Sequence, residues 1–149
     1  MVKKNSAFLL IALSAAFIIL DQLAKFLAKS YLAGTVPIIK NIFHLTLVMN
    51  SGIAFGFLQG ANSIVVWLYL IVLGLVLYFY DKFPKGTFNR VMLALIIAGI
   101  IGNFIDRIFF GHVIDFIDFR VWPVFNVADI YLNIGVIGML ASEILKKKP

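Results

Sequence analysis

The sequence predicts an all-α membrane protein with four transmembrane helices, a small extracytoplasmic β-sheet and a surface loop. Three observations predict it. First, 62% of the 149 residues are hydrophobic and 13% are charged, with a mean hydropathy of +1.03. A soluble domain is about half apolar and about one-quarter charged, and a chain this short keeps much of its surface exposed. The excess must therefore meet lipid. Second, apolar runs of spanning length recur along the chain. Third, the basic residues stand at the ends of those runs. These features exclude a cytosolic domain, a disordered chain and a fibrous repeat.

A helix needs about 20 apolar residues to cross the hydrocarbon core. The first helix is placed at about 7–29, because residues 5–20 carry no charge and apolar character runs on to Leu32. The head, MVKK before an apolar run, is like a signal peptide. No small-residue cleavage site leads into a soluble domain, so a retained span is expected. Residues 41–80 are an uncharged run of 40, too long for one span. Ser51-Gly52, Gly56, Gly60 and Asn62 break its first half, which places the second helix at about 61–80. A third follows at about 89–109 and a fourth at about 127–145. The extracytoplasmic segments are then about 30–60 and 110–126. Within the first, Ile42, His44, Thr46 and Val48 alternate with Phe43, Leu45, Leu47 and Met49. That period of two fits a strand or small sheet at the membrane surface, and a re-entrant apolar loop fits it as well. No repeat or linker divides the chain, so residues 1–149 form one domain.

The charges orient it. Lys3 and Lys4, then Lys82, Lys85 and Arg90, then Lys146, Lys147 and Lys148 all fall on one side of a four-span chain. By the positive-inside rule both termini are cytoplasmic. The net charge of +6 thus reads as membrane orientation and not as nucleic-acid binding. Cysteine is absent, so thiolate chemistry and disulfides are excluded.

Of seven acids, Asp81 and Glu143 lie on the cytoplasmic side. Asp21, Asp106, Asp115, Asp118 and Asp129 belong to the outer half. Asp21 stands about 25 Å of helix beyond Lys4, Asp106 about 24 Å beyond Arg90, and Asp129 about 25 Å before Lys146. Three helices thus bring a carboxylate to one level, and Asp115 can reach it from the joining segment. Acids in spanning segments usually face a bundle interior or a watery cavity. Two close carboxylates split their pKa values and can divide acid and base work between them. Each acid also has a structural reading. Asp21 and Lys25 stand at i and i+4, as in a helix-face ion pair. Asp106 with Arg107 suits a network at a helix end, and Asp118 with Arg120 suits a solvated loop pair. Asp129 has Asn126 and Asn133 at i−3 and i+4, a polar stripe that a lipid-facing surface does not explain.

Other chemistries fit less well. No His-Glu-x-x-His supports a zinc protease. Ser51 would need a base, for which only His44 and His112 are candidates. A proton-coupled carrier or a non-enzymatic assembly factor would use the same polar groups, as an ion path or as helix packing. The two halves share no pattern, however, and the acids gather on one side. The aromatics Phe43, Phe55, Trp67, Tyr69 and Trp122 suit an interfacial belt.

Four blocks then carry a resemblance. They are Asp21-Gln22 with Lys25, Asn50-Ser51-Gly52-Ile53-Ala54-Phe55-Gly56, Gly102-Asn103-Phe104-Ile105-Asp106-Arg107, and the pair Val113-Ile114-Asp115-Phe116 and Phe125-Asn126-Val127-Ala128-Asp129 with Trp122-Pro123 between. In this order, over nearly all the chain, they resemble the bacterial lipoprotein signal peptidases (signal peptidase II). The resemblance implies an aspartyl endopeptidase of the bacterial cytoplasmic (inner) membrane. It would cleave the signal peptide from diacylglyceryl-modified prolipoproteins, on the N-terminal side of the lipidated cysteine. Asp115 and Asp129 would form the catalytic dyad, a choice the residues alone leave open between Asp115 and Asp106. Asn50, Gly52, Asn103, Arg107 and Asn126 would bind or support substrate and dyad. Asp21, Lys25 and Asp106 would be structural, and the surface sheet would occupy roughly 36–56. The partners are the lipidated prolipoprotein and membrane lipids, with no nucleic acid. No metal or organic cofactor is implied, and a monomer is expected. One departure is the short segment from Asp115 to Trp122, which lacks the inserted residues of some relatives.

Overall fold

The computed structural model describes residues 2–52 and 60–146, with side chains from residue 7 onward. Ile53, Ala54, Phe55, Gly56, Lys147, Lys148 and the side chains of Lys3 and Lys4 lie outside that description. The chain is mostly helical. In order it forms α1 (Val2–Tyr31), β1 (Thr35–Ile39), β2 (Phe43–Asn50), α2 (Asn62–Tyr78), α3 (Thr87–Phe110), β3 (Val113–Asp118) and α4 (Val127–Lys146).

Three stretches are long and apolar enough to cross a membrane: Ala7–Tyr31, Thr87–Phe110 and Val127–Lys146. α2 is as apolar but stops at 17 residues, where a short 3-10 turn over Tyr80–Lys82 takes over. It rises about 25 Å, a little under the thickness of the hydrocarbon core.

α3 is the central helix. Every residue from Met92 to Ile100 is buried, and α1, α2 and α4 pack around it. The outward faces stay apolar: Phe8, Ile11 and Ile19 on α1, Trp67 and Ile71 on α2, and Ile137, Leu140 and Ile144 on α4 are all exposed. A chain in water could not carry such faces on three helices, whereas hydrocarbon covers them. α3 and α4 meet backbone to backbone. A methyl group on Gly99 would stand 2.5 Å from the Ala128 carbonyl oxygen and 2.9 Å from Leu132 Cβ. One on Gly135 would stand 2.7 Å from the Met92 carbonyl oxygen. Small residues are what permit this approach. Gly99→Ala should therefore destabilise the protein by about 1–3 kcal/mol through overpacking. Gly74→Ala, which adds its methyl to open space on α2, should not. Thermal midpoints in detergent decide it, and equal midpoints for the two variants would contradict the backbone contact.

The alternating run at 42–49 resolves as strand β2, not as a re-entrant loop. It lies at the centre of an antiparallel sheet ordered β1-β2-β3. β3 (Val113–Asp118) lies in the segment joining α3 and α4, which by sequence is only a connection. Gly111 turns the chain out of α3 with φ 75°, and its N–H caps the Arg107 carbonyl at 3.1 Å. Glycine takes this left-handed helix end at no steric cost. The strand that follows is almost wholly buried. Val48 faces Asp115 across the ladder and Asn50 faces Val113. Phe125 pairs back onto Ile117, which delivers the chain to the start of α4.

Candidate active site

The site forms where β2, β3 and the first turn of α4 converge on the C-terminal end of α3. Asn126 is not part of a helical stripe, as its spacing suggested. It precedes α4 and caps it. Its Oδ1 accepts the Asp129 N–H at 3.0 Å, and Asp129 Oδ2 accepts the Asn126 N–H at 3.1 Å. This reciprocal capping box satisfies two donors that a helix start leaves open, and it holds the Asp129 side chain against its own backbone. Asp129 Oδ1 accepts Asn103 Nδ2 at 2.8 Å. Asn133, the other member of the supposed stripe, donates to the Asp129 carbonyl from an exposed position.

Asp115 sits on β3 and is 2% exposed. Its Oδ2 accepts Asn50 Nδ2 at 2.8 Å and its Oδ1 accepts Asn126 Nδ2 at 2.6 Å. Asn126 thus bonds both carboxylates. Removal from water pushes the Asp115 carboxyl up to about 7, against the lowering effect of the Asn50 amide; the Asp129 charge raises it further, and Asn126 and the Lys25 charge oppose. The group therefore titrates around neutrality, far above an ordinary carboxyl, while both amides keep it placed.

Behind the pair lies a buried ion cluster. Lys25 Nζ is 2.9 Å from Asp21 Oδ2 and 3.0 Å from Asp106 Oδ2, and it donates to Asn103 Oδ1 at 2.9 Å. The i,i+4 pair read from the sequence is present. It is not a surface pair, however: Asp21 and Asp106 are 0% exposed and Lys25 is 1% exposed. Asp21 Oδ1 also accepts the Ala128 N–H at 2.8 Å, and Asp106 Oδ2 accepts the Ile114 N–H at 3.1 Å. The cluster therefore pins the start of α4 and the start of β3 to α1 and α3. Asp106 does not join Arg107 in a network at the helix end. Arg107 instead donates to the Gly52 carbonyl and, at 3.3 Å, to Asn62 Oδ1, while Asn62 Nδ2 donates to the Arg107 carbonyl. By sequence alone Asn62 is only a helix breaker. Asp118, read as a solvated loop charge, is 4% exposed on β3. It does pair with Arg120 at 3.2 Å, and it also accepts the Thr46 hydroxyl at 2.9 Å.

Asp115 and Asp129 open into one cavity of about 870 Å³, which Asn50, Gly52, Asn103 and Arg107 also line. Tyr69, Trp122 and Pro123 supply apolar and aromatic surface. Asn126, Asp21, Lys25 and Asp106 stand behind it. For the alternative serine chemistry, both ring nitrogens of His44 and Nε2 of His112 lack a hydrogen-bond partner among the described residues, so none of these atoms is bonded to Ser51.

Fold and site together define a helical membrane protein with two amide-held carboxylates in a cavity at one end of its bundle. A family model described as "Signal peptidase (SPase) II" matches residues 13–145. The lipoprotein signal peptidase of Halothermothrix orenii is 44% identical over 120 residues, covering 79% of this chain and 83% of that one. That of Fusobacterium nucleatum is 41% identical, covering 96% and 90%. A solved structure described as a bacterial membrane enzyme superposes with a TM-score of 0.84 at 32% identity, covering 93% of this chain and 91% of that one. The chain belongs to the signal peptidase II family. It is accordingly a peptidase and, by its apolar helices, a bacterial membrane protein.

Proposed function

We propose that this protein is an intramembrane aspartyl endopeptidase that removes signal peptides from diacylglyceryl-modified prolipoproteins, with Asp115 and Asp129 as its dyad. The observation that carries the proposal is the shared cavity. Two carboxylates from separate elements open into it, and each accepts one amide bond per oxygen. Asp129 takes a proton from a water molecule lying between the pair, and the oxygen attacks the peptide carbonyl before the lipidated cysteine. Asp115 gives its proton to the carbonyl oxygen. In the breakdown step a proton passes to the leaving nitrogen and the C–N bond breaks. This frees the signal peptide's new carboxylate and the amino group of the cysteine. Asn50, Gly52, Asn103, Arg107 and Asn126 bind substrate or hold the dyad. Asp21, Lys25 and Asp106 anchor the elements that carry it.

The chain works as one domain and as a monomer. α2 serves as the fourth span, its ends reaching into the interfacial region. The basic residues at both ends and in the α2–α3 loop keep the termini cytoplasmic, so the cavity lies at the outer leaflet. An apolar signal helix with its lipid anchor reaches such a site by lateral diffusion.

Purified protein incubated with a diacylglyceryl-modified prolipoprotein should release the intact signal peptide, detected by mass spectrometry. A carrier or an assembly factor leaves the substrate whole. The pH profile adds a sign. Because Asp115 must carry its proton, cleavage should fall as pH rises through about 7. A rate still climbing well above that pH would remove Asp115 from the acid role.

A further inference from the structure

We infer that Lys25 is a positioning residue that sets the dyad's proton pattern by fixing the polarity of the Asn103 amide; the inference rests on the aspartyl-dyad reading above. Three side-chain amides touch the two carboxylates, and an amide can present either oxygen or NH₂. What decides the face presented is a donor-only group on the other side. For Asn50 that group is the Gly52 backbone N–H, which donates to Oδ1 at 3.0 Å and so turns Nδ2 toward Asp115. For Asn126 it is the Asp129 backbone N–H. Both are built into the main chain. Asn103 differs: its oxygen is held by the Lys25 ammonium at 2.9 Å and by Asn126 Nδ2 at 3.0 Å. An ammonium has three donors and no acceptor, so it cannot tolerate the NH₂ face.

The consequence reaches Asp129. With its oxygen on Lys25, Asn103 must present Nδ2 to Asp129 Oδ1, which it does at 2.8 Å. The Asn126 N–H meets Oδ2. Both Asp129 oxygens thus face donors, an arrangement that works toward a carboxylate without an added proton; Asp115 is donor-faced as well, and there burial outweighs its two amides. All three Lys25 donors are engaged, on Asp21, Asp106 and Asn103. Asn103 is 2% exposed, so water has little room to replace the ammonium. Without Lys25 the oxygen side of the amide keeps only the neutral Asn126 bond, and neutral bonds are about half as strong as charged ones. A turned Asn103 would set its oxygen against Asp129 and demand a proton there. The charged and titratable groups around this pair are Asp21 and Lys25 on α1, Tyr69 on α2, Asp106 and Arg107 on α3, and Asp115 on β3. Tyr131 on α4 lies close to Asp21.

Lys25→Met combined with Asp106→Asn keeps the cluster's net charge, one ammonium and two carboxylates becoming one carboxylate. A purely anchoring Lys25 predicts that this pair restores both fold and rate. The inference predicts a folded protein whose kcat/KM falls by about 10-fold to 100-fold, with the acid limb of its pH profile moved up by about one unit. Lys25→Arg keeps a donor-only head and should leave the limb in place. A wild-type limb in the double variant overturns the inference. If the double variant does not fold, Lys25→Arg decides alone: a limb in place supports the inference, and one moved by about a unit or more overturns it. Failure of the dyad reading is separate, because it appears as cleavage by Asp115→Asn or Asp129→Asn protein whatever Lys25 does.

Discussion

Asp129→Asn protein should fold, insert and bind its lipidated substrate, yet cleave it at least about 10³-fold more slowly. The capping box explains why the fold survives. An Asn side chain at 129 still has an oxygen to accept the Asn126 N–H that Asp129 Oδ2 accepts now, and its missing charge lies in a cavity and not in the packed core. The chemistry does not survive, because a neutral amide takes no proton from water. Asp115→Asn should lose activity to a similar degree by the opposite route. Its single oxygen can accept from Asn50 or from Asn126 but not from both, since each presents Nδ2 there, and it has no acidic proton to give. The two losses should not add. Once one partner is gone the other has no role, so the double variant should be about as slow as either single one. Single-turnover cleavage of a purified, lipidated prolipoprotein measures this. Full cleavage by either single variant would sink the dyad.

Asp106→Asn makes the contrast sharper. By depth alone Asp106 was as good a candidate as Asp115, since both can reach the level of Asp129. The structure separates them. Asp106 is spent on Lys25 and the Ile114 N–H, away from the cavity, whereas Asp115 faces it. Composition and spacing could not make that distinction, because it depends on β3. Once Val113–Asp118 is a strand, period two sends Asp115 to one face and Ile114 to the other. The clue was present in the β-branched run around Asp115, but a short apolar run between two helices reads equally well as a connection. The resemblance to known peptidases supplied the ranking that the residues alone did not.

The other misreadings share a cause. Asn126 and Asp129 were placed on one helix face because three-residue spacing suggests it, yet the same spacing defines a cap and its partner. Only the position of the helix start tells them apart, and helix starts are the least certain part of a sequence reading. Asp118 was treated as solvated because Arg120 is near in sequence. It also accepts a bond from Thr46 on a neighbouring strand, a contact 72 residues away. The long apolar helices, by contrast, are legible from local composition, because hydrocarbon imposes the same demand on every residue of a span. Long-range side-chain partners carry no such signature, and the role of Asn62 is one of them.

Arg107→Lys is the second variant with a large expected effect, and here charge is not the reason. Both residues are cationic, but only guanidinium presents a planar fork of donors. Arg107 uses that fork to join three elements. From α3 it donates to the Gly52 carbonyl just beyond β2, and to Asn62 at the start of α2. Its Nε is buried without a partner, beside the cavity that holds Asp115 and Asp129. An unpaired buried donor is costly, and one next to a reaction centre is a natural seat for a substrate carbonyl. Lysine could replace one of these bonds at a time, not all of them. Losing a preorganised donor of this kind typically slows a reaction by about 10²-fold to 10³-fold. Arg107→Lys should therefore lower kcat/KM by about 10²-fold, with the thermal midpoint falling only modestly because Asn62 still bonds the 107 carbonyl. If the unpaired Nε only positions the ground state, KM should rise while kcat stays constant. If it meets the oxygen that gains charge, kcat should fall as well. A kcat/KM within about threefold of the unmodified protein would show that the fork contributes nothing beyond its charge.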